Sequence, residues 1–213
     1  MKIGVLGTGM VGEAIATRLV GLGHDVMMGS RERGNAKAQA WAAKSGGKAG
    51  SFADAAAHAE LVFNCTLGSG SVEAVKAAGA SRLAGKVLVD VSNPLDFSRG
   101  MPPSLFICNT DSLGETLQRE FPQVRVVKTL NTTNAQIMVN PARIKGTHHV
   151  FMSGNDAEAK KQVGELLKSF GWKDIIDLGD ITTARGTEQL LPIWIRLWGT
   201  LGTADFNFAI QKA

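Results

Sequence analysis

Residues 2–12 read KIGVLGTGMVG, an apolar run that breaks into G-x-G-x-x-G and continues without pause into a helical stretch. That order is what a dinucleotide-binding turn requires, because the glycines must follow a buried strand and open a helix. Gly7 permits the tight turn, Gly9 lets backbone approach a pyrophosphate, and Gly12 lets helix and strand pack closely. The pyrophosphate then lies on the free N–H groups and positive dipole end of the helix. From Met10 to about Gly23, Ile15, Leu19 and Leu22 recur on one face, as an amphipathic helix demands. Gly7, Thr8, Gly9, Met10, Val11 and Gly12 are therefore the expected cradle of a nucleotide.

The rest of the chain repeats the alternation of strand and helix. HDVMMG reads as a strand and NAKAQAWAAKSG as a helix stopped by Gly46 and Gly47. KAGS, FADAAAHA, LVFNCTL, SVEAVKAA and KVLVDVS continue the pattern. SLGETLQREF, capped by Asp111 or Ser112, leads into the strand RVVKTL. An irregular stretch follows, NTTNAQIMVNPARIKG. HHVFMSG then reads as a strand, DAEAKKQVGELLKSFG as a helix opening near Asp156, and KDIIDLG as the last strand. Helices of this length between strands imply parallel neighbours joined by crossovers. Seven or eight strands make this an α/β chain with a Rossmann-type, doubly wound, mostly parallel sheet over residues 1–180. Residues 181–213 carry no strong strand signal. Leu190, Leu191, Trp194, Leu197, Trp198 and Leu201 fall at helical spacing, while Ile193 and Ile195 make that helix apolar on more than one side. A helix of this kind needs cover on two faces, which implies a ligand pocket or a second subunit.

About twenty residues beyond the glycines, an NAD site presents an acid to the ribose hydroxyls. This chain presents Gly29-Ser30-Arg31 instead. A hydroxyl and a guanidinium donate to a 2′-phosphate that an acid would repel, and Arg33 and Lys37 add positive charge. The cofactor expected is NADP(H), held at its 2′-phosphate by Ser30, Arg31 and Arg33. The nicotinamide crosses the carboxyl ends of the strands, where Cys65-Thr66-Leu67, Ser92-Asn93-Pro94 and Asn131-Thr132-Thr133 arrive. Thr66, Leu67, Asn93 and Pro94 are the candidates there, Asn93 for the carboxamide or ribose and Pro94 for a rigid floor.

No nucleophile triad, acid pair or lysine–asparagine set emerges, so no catalytic residue is assigned. Hydride transfer between stacked rings needs close approach and orientation rather than a protein acid or base. His148 and His149 are adjacent in a strand and point to opposite faces, so they cannot share a metal. Cys65 reads as a packing residue. The two cysteines have no CxxC spacing, and Met1-Lys2 runs straight into the first strand, which leads us to expect a reduced, cytoplasmic protein. A net charge of +4 without a basic block argues against nucleic acid. No apolar stretch approaches the length of a spanning helix.

The stretch IGVLGTGMVGEAIATRLVGLGHDVMMGSR resembles the deazaflavin-dependent NADP oxidoreductases, which move hydride between reduced coenzyme F420 and NADP. The likeness continues through MSGNDAEAKKQVGELLKSFG and LGDITTARGTEQLLPIWIRLWGTLG. VLVDVSNPL and VRVVKTLNT are similar to the cytosolic reductase domain of the STEAP metalloreductases, in which NADPH reduces a flavin. The resemblance implies NADP contacts at Thr8, Gly9, Met10, Val11, Ser30 and Arg31, with Asn93 matching the metalloreductase motif. It also implies that the C-terminal helix completes an acceptor pocket and a homodimer interface. The expected function is hydride transfer between NADPH and a flavin-like or deazaflavin second substrate. An imine or hydroxyacid reductase, or a non-catalytic NADP(H)-binding redox sensor, are the alternatives.

Overall fold

The computed structural model describes residues 1–213. Its first half is built from β1 (Lys2–Leu6), α1 (Met10–Gly21), β2 (Asp25–Ser30), α2 (Ala36–Ser45), β3 (Lys48–Ser51), α3 (Phe52–His58), β4 (Leu61–Asn64), α4 (Gly68–Ala78), α5 (Ala80–Leu83) and β5 (Val87–Asp90). A small hairpin follows, β6 (Leu95–Asp96) with β7 (Ser104–Leu105), and then α6 (Leu113–Glu120) and β8 (Arg125–Thr129). The chain continues through α7 (Ala135–Val139), β9 (His149–Gly154), α8 (Ala157–Phe170), β10 (Asp174–Gly179), α9 (Ala184–Gln189) and α10 (Leu191–Leu201).

Eight strands form one sheet in the order β10-β9-β8-β5-β4-β1-β2-β3. Alternate residues of each strand feed opposite faces, as the pleat requires. Ile3, Val5, Phe63, Val89 and Val127 pack with α1, α2, α7 and α8 in one core cluster. Leu6, Val62, Leu88 and Val126 pack with α3 to α6 and α9 in the other. The central strands β1, β4, β5 and β8 are buried on both faces and read as nearly continuous apolar runs, which is how the sequence marks them; the edge strands β3 and β10 are more exposed.

Local signals placed several boundaries correctly. Ser112 caps α6 by accepting from Glu115 N, and Asp156 caps α8 by accepting from Ala159 N. Gly46 ends α2 in the left-handed region at φ 78°. Two features differ from the sequence reading. The stretch after β8 contains the short α7 and a 3-10 turn at Pro141–Arg143. Length does not decide the direction, since residues 130–148 would suffice for a crossover; α7 turns the chain back on the same edge, and β9 pairs antiparallel with β8, with Thr129 opposite Met152. β10 then pairs parallel with β9.

The strand order reverses between β1 and β4: the chain winds outward through β2 and β3, then returns to β4 on the other side of β1. Open α/β sheets bind ligands in the crevice at the carboxyl ends of strands at such a switch.

Candidate functional site

At the switch, Gly7 lies at φ 120°, its N–H bonded to Gly29 O at 3.0 Å. A Cβ there would sit 2.7 Å from Cys65 O. At Gly12 a Cβ would lie 2.2 Å from Gly7 O, so only glycine lets α1 close on the loop. Gly9 has open space where its side chain would be and caps α1 without a side-chain bond. The first-turn N–H groups of α1 thus face that space without a side-chain acceptor, an arrangement suited to a diphosphate. These features fit a dinucleotide.

Arg31 is exposed and makes no ion pair. It lines a cavity of about 560 Å3 with Phe52, Thr66, Leu67, Ser69 and Gly70. Ser30 is buried inside the turn, and its hydroxyl donates to Glu32 O at 2.5 Å. That bond shapes the turn that turns Arg31 outward; donation to a phosphate would require the hydroxyl to give it up. Arg33 is engaged elsewhere, bidentate on Asp54 at 2.8 and 2.5 Å. The guanidinium, together with Ser51, holds the Asp54 carboxyl well below the usual carboxylate range. Lys37 lines a neighbouring cavity beside Thr8, Gly9 and Met10. Arg33→Ala is therefore expected to change the NADPH dissociation constant less than about threefold, because an exposed ion pair contributes little. Titration of the variant by nucleotide fluorescence checks this; a tenfold loss would return Arg33 to the phosphate site.

At the carboxyl edge, Thr66 Oγ1 donates to Asn64 Oδ1 at 2.7 Å and Leu67 is largely exposed. Asn93 and Asn131 clasp each other: Asn93 Nδ2 donates to Asn131 O at 2.9 Å and Asn131 Nδ2 to Asn93 Oδ1 at 3.0 Å. Pro94 is buried and starts the β6–β7 hairpin, its carbonyl accepting from Phe106 N. Cys65 is half-buried, and desolvation first and the charge of Asp90 second push its thiol above the ordinary pKa. His148 Nε2 lies 3.0 Å from Pro141 O, and His149 Nδ1 accepts from Ile210 N. Both rings therefore serve the packing of the chain.

Sequence reasoning missed a buried cluster behind this edge. Lys128 Nζ lies 2.8 Å from Asp90 Oδ2 and 2.7 Å from Glu188 Oε1, and donates to Ser92 O at 2.6 Å. Glu188 also accepts from Leu113 N and Gly114 N at the start of α6. Burial alone would lower the pKa of the ammonium; the attraction of Asp90 and Glu188 outweighs it, and the pKa rises. A lysine in the middle of VRVVKTL, where only apolar residues are expected, was the available signal. Gly68 was missed as well. It opens α4 directly against Asn93 O.

Beyond the edge, Leu191 and Ile195 of α10 are buried. Trp194 stacks on Phe206 with ring centroids 5.2 Å apart. Trp198 is half exposed and lines a groove of about 460 Å3 with Met101, Pro102, Ile195, Arg196 and Thr200. Trp198 thus faces that groove, whereas Trp194 packs against the C-terminal stretch. No helix is long and apolar enough to cross a membrane.

Comparison with known proteins gives a consistent picture. Residues 2–94 match the family model described as NADP oxidoreductase, coenzyme F420-dependent. A crystal structure from Arthrobacter sp. FB24, described as a candidate F420-dependent NADP reductase, is 58% identical over the whole of both chains, with a TM-score of 0.96. The F420-dependent NADP reductase of Methanocaldococcus jannaschii is 28% identical, with 92% of each chain covered. Metalloreductase STEAP3 of Rattus norvegicus is 33% identical over 91% of this chain, which spans 38% of the rat protein's length.

Proposed function

Because the chain belongs to the coenzyme F420-dependent NADP oxidoreductase family and is an NADP(H)-using oxidoreductase, we propose that it passes hydride between NADPH and a deazaflavin- or flavin-type ring. The observation that carries this reading is that the buried ammonium behind the carboxyl edge, Lys128, has its donors committed to Asp90, Glu188 and Ser92 O. Committed in this way, it offers a carbonyl or imine no proton donor. Ring-to-ring hydride transfer needs none, only rings held about 3–3.5 Å apart in alignment.

The parts of the site divide accordingly. The N–H groups at the start of α1 hold the diphosphate, and Arg31 takes the 2′-phosphate. Thr66, Leu67 and the Asn93–Pro94 turn receive the nicotinamide, which supplies the hydride when bound. The clasp with Asn131 keeps the Asn93 turn rigid, so that ring is held by a surface already ordered before it arrives. Residues 181–213, through Trp198 and the groove beside Met101, form the wall for the acceptor, and Arg196 in that groove suits an anionic side arm.

Anaerobic stopped-flow mixing of the protein with NADPH and, in turn, oxidised deazaflavin, FMN and FAD tests the reading, with the reverse reaction from reduced deazaflavin and NADP+. Rapid absorbance change with at least one ring is expected. Inert mixtures in both directions, with the nucleotide bound, would sink it.

A further inference from the structure

The three charges of the Lys128 cluster are sealed inside the molecule, and nucleotide binding as described uses none of them. Their hydrogen bonds fix their ionisation. Asp90 Oδ1 accepts from Asn64 Nδ2, Ser92 N and Ser92 Oγ, at 2.8, 3.2 and 2.7 Å. Its other oxygen receives Lys128. Glu188 accepts from Lys128 and from Leu113 N and Gly114 N at 2.8 and 3.0 Å. Apart from the Ser92 hydroxyl, which donates to Asp90 in this arrangement, every partner of both acids is a donor only. Both acids are carboxylates, and the ammonium balances one of them.

The cluster thus holds one uncompensated negative charge, eased by the N-terminal end of α6 but not cancelled. The nearest charged pair at its rim, Glu115 with Arg185, is neutral in sum. The position of the charge matters. Asp90 grips Ser92, the residue before Asn93, and through Asn64 it reaches Thr66. Asn93 and Thr66 are the residues that receive the nicotinamide in the proposed function, on which this step rests. Oxidised nicotinamide carries a positive charge and the reduced ring carries none.

We infer that Asp90, Lys128 and Glu188 form a built-in counter-charge that favours NADP+ over NADPH and so tunes the bound nucleotide toward giving up hydride. They act by their charge and do not touch the ring, while their bonds to Ser92 and Asn64 fix where that charge sits. Asp90 bonds the residue next to Asn93, and in general one charge at a separation of about 10 Å and an effective dielectric of about 20–40 alters an equilibrium by about four- to fifteenfold.

The experiment measures dissociation constants for NADP+ and NADPH separately, on the full chain, for wild type, Glu188→Gln and Asp90→Asn. Each variant keeps the shape and removes one negative charge. The ratio of the NADP+ to the NADPH constant is expected to rise about four- to fifteenfold in either variant. A merely structural role would weaken both forms alike, because they share every group except the charge on one ring. An unchanged ratio in a folded variant overturns the inference. If neither variant folds, the wild type decides: it is expected to bind NADP+ at least as tightly as NADPH. A preference of more than about tenfold for NADPH would refute the counter-charge. Failure of wild type to bind either form would instead refute the site reading beneath it.

Discussion

Arg31→Ala is expected to weaken NADPH by about ten- to a hundredfold and to leave NADH within about threefold. The guanidinium is exposed, unpaired, and lines the cavity that also holds Thr66 and Ser69. A charge-assisted bond to phosphate contributes about 1.5–3 kcal/mol, and NADH lacks the phosphate that would claim it. Its neighbours do not substitute for it. The Ser30 hydroxyl donates to Glu32 O and Arg33 pairs with Asp54, so under the proposed function the discrimination is expected to rest mainly on Arg31. Isothermal titration with both nucleotides checks this, and equal losses for the two would show that the 2′-phosphate lies elsewhere. Arg31→Lys is expected to recover only part of the loss, because a point charge cannot make the bidentate contact.

Gly68→Ala is expected to destabilise the chain by about 2–4 kcal/mol and to loosen the nucleotide. A Cβ at Gly68 would stand 1.9 Å from Asn93 O and 2.6 Å from Asn93 C, both backbone atoms. Neither side can yield cheaply. The Asn93 turn is tied to Lys128 through Ser92 O and to Asn131 through the reciprocal amide bonds, and overpacking against such a fixed wall costs this order of energy. The same helix supplies a control, since a Cβ at Gly70 meets nothing within 4 Å. Gly70→Ala should be neutral or gain up to about 1 kcal/mol of helix propensity. Urea melts of the two variants compare them directly, and matching curves would disprove the close approach.

What could be read from the sequence was what neighbouring residues encode. The glycine turn, the Ser112 and Asp156 caps and the Gly46 stop each rest on residues within a few positions of one another. The run of a strand is local too, but its direction is not. Whether β9 lies parallel or antiparallel depends on how residues 130–148 fold back, and an irregular stretch gives no period to read. The site divides in the same way. The Gly-rich cradle is contiguous, whereas Arg33 finds Asp54 across 21 residues and Lys128 finds Asp90 across 38. Long-range pairing of that kind leaves one local trace, a charge where the strand pattern wants an aliphatic side chain.

The reversal of β9 changes which parts of the chain can reach the crevice. A sheet whose strands all run one way shows its carboxyl edge nothing but departures, the loops that leave strands. With Thr129 opposite Met152, β9 begins at that edge, so His148 and His149 arrive there. Phe208 O accepts from His149 N, Asn207 Nδ2 donates to His149 O, and Asn134 of the departing loop donates to Ala204 O. One arrival, one departure and the stretch after α10 are thereby knotted together at a single rim. Phe206 of that stretch is the ring on which Trp194 rests. The setting of α10 is accordingly inherited from the far side of the sheet, apart from the phosphate cradle at β1 and β2.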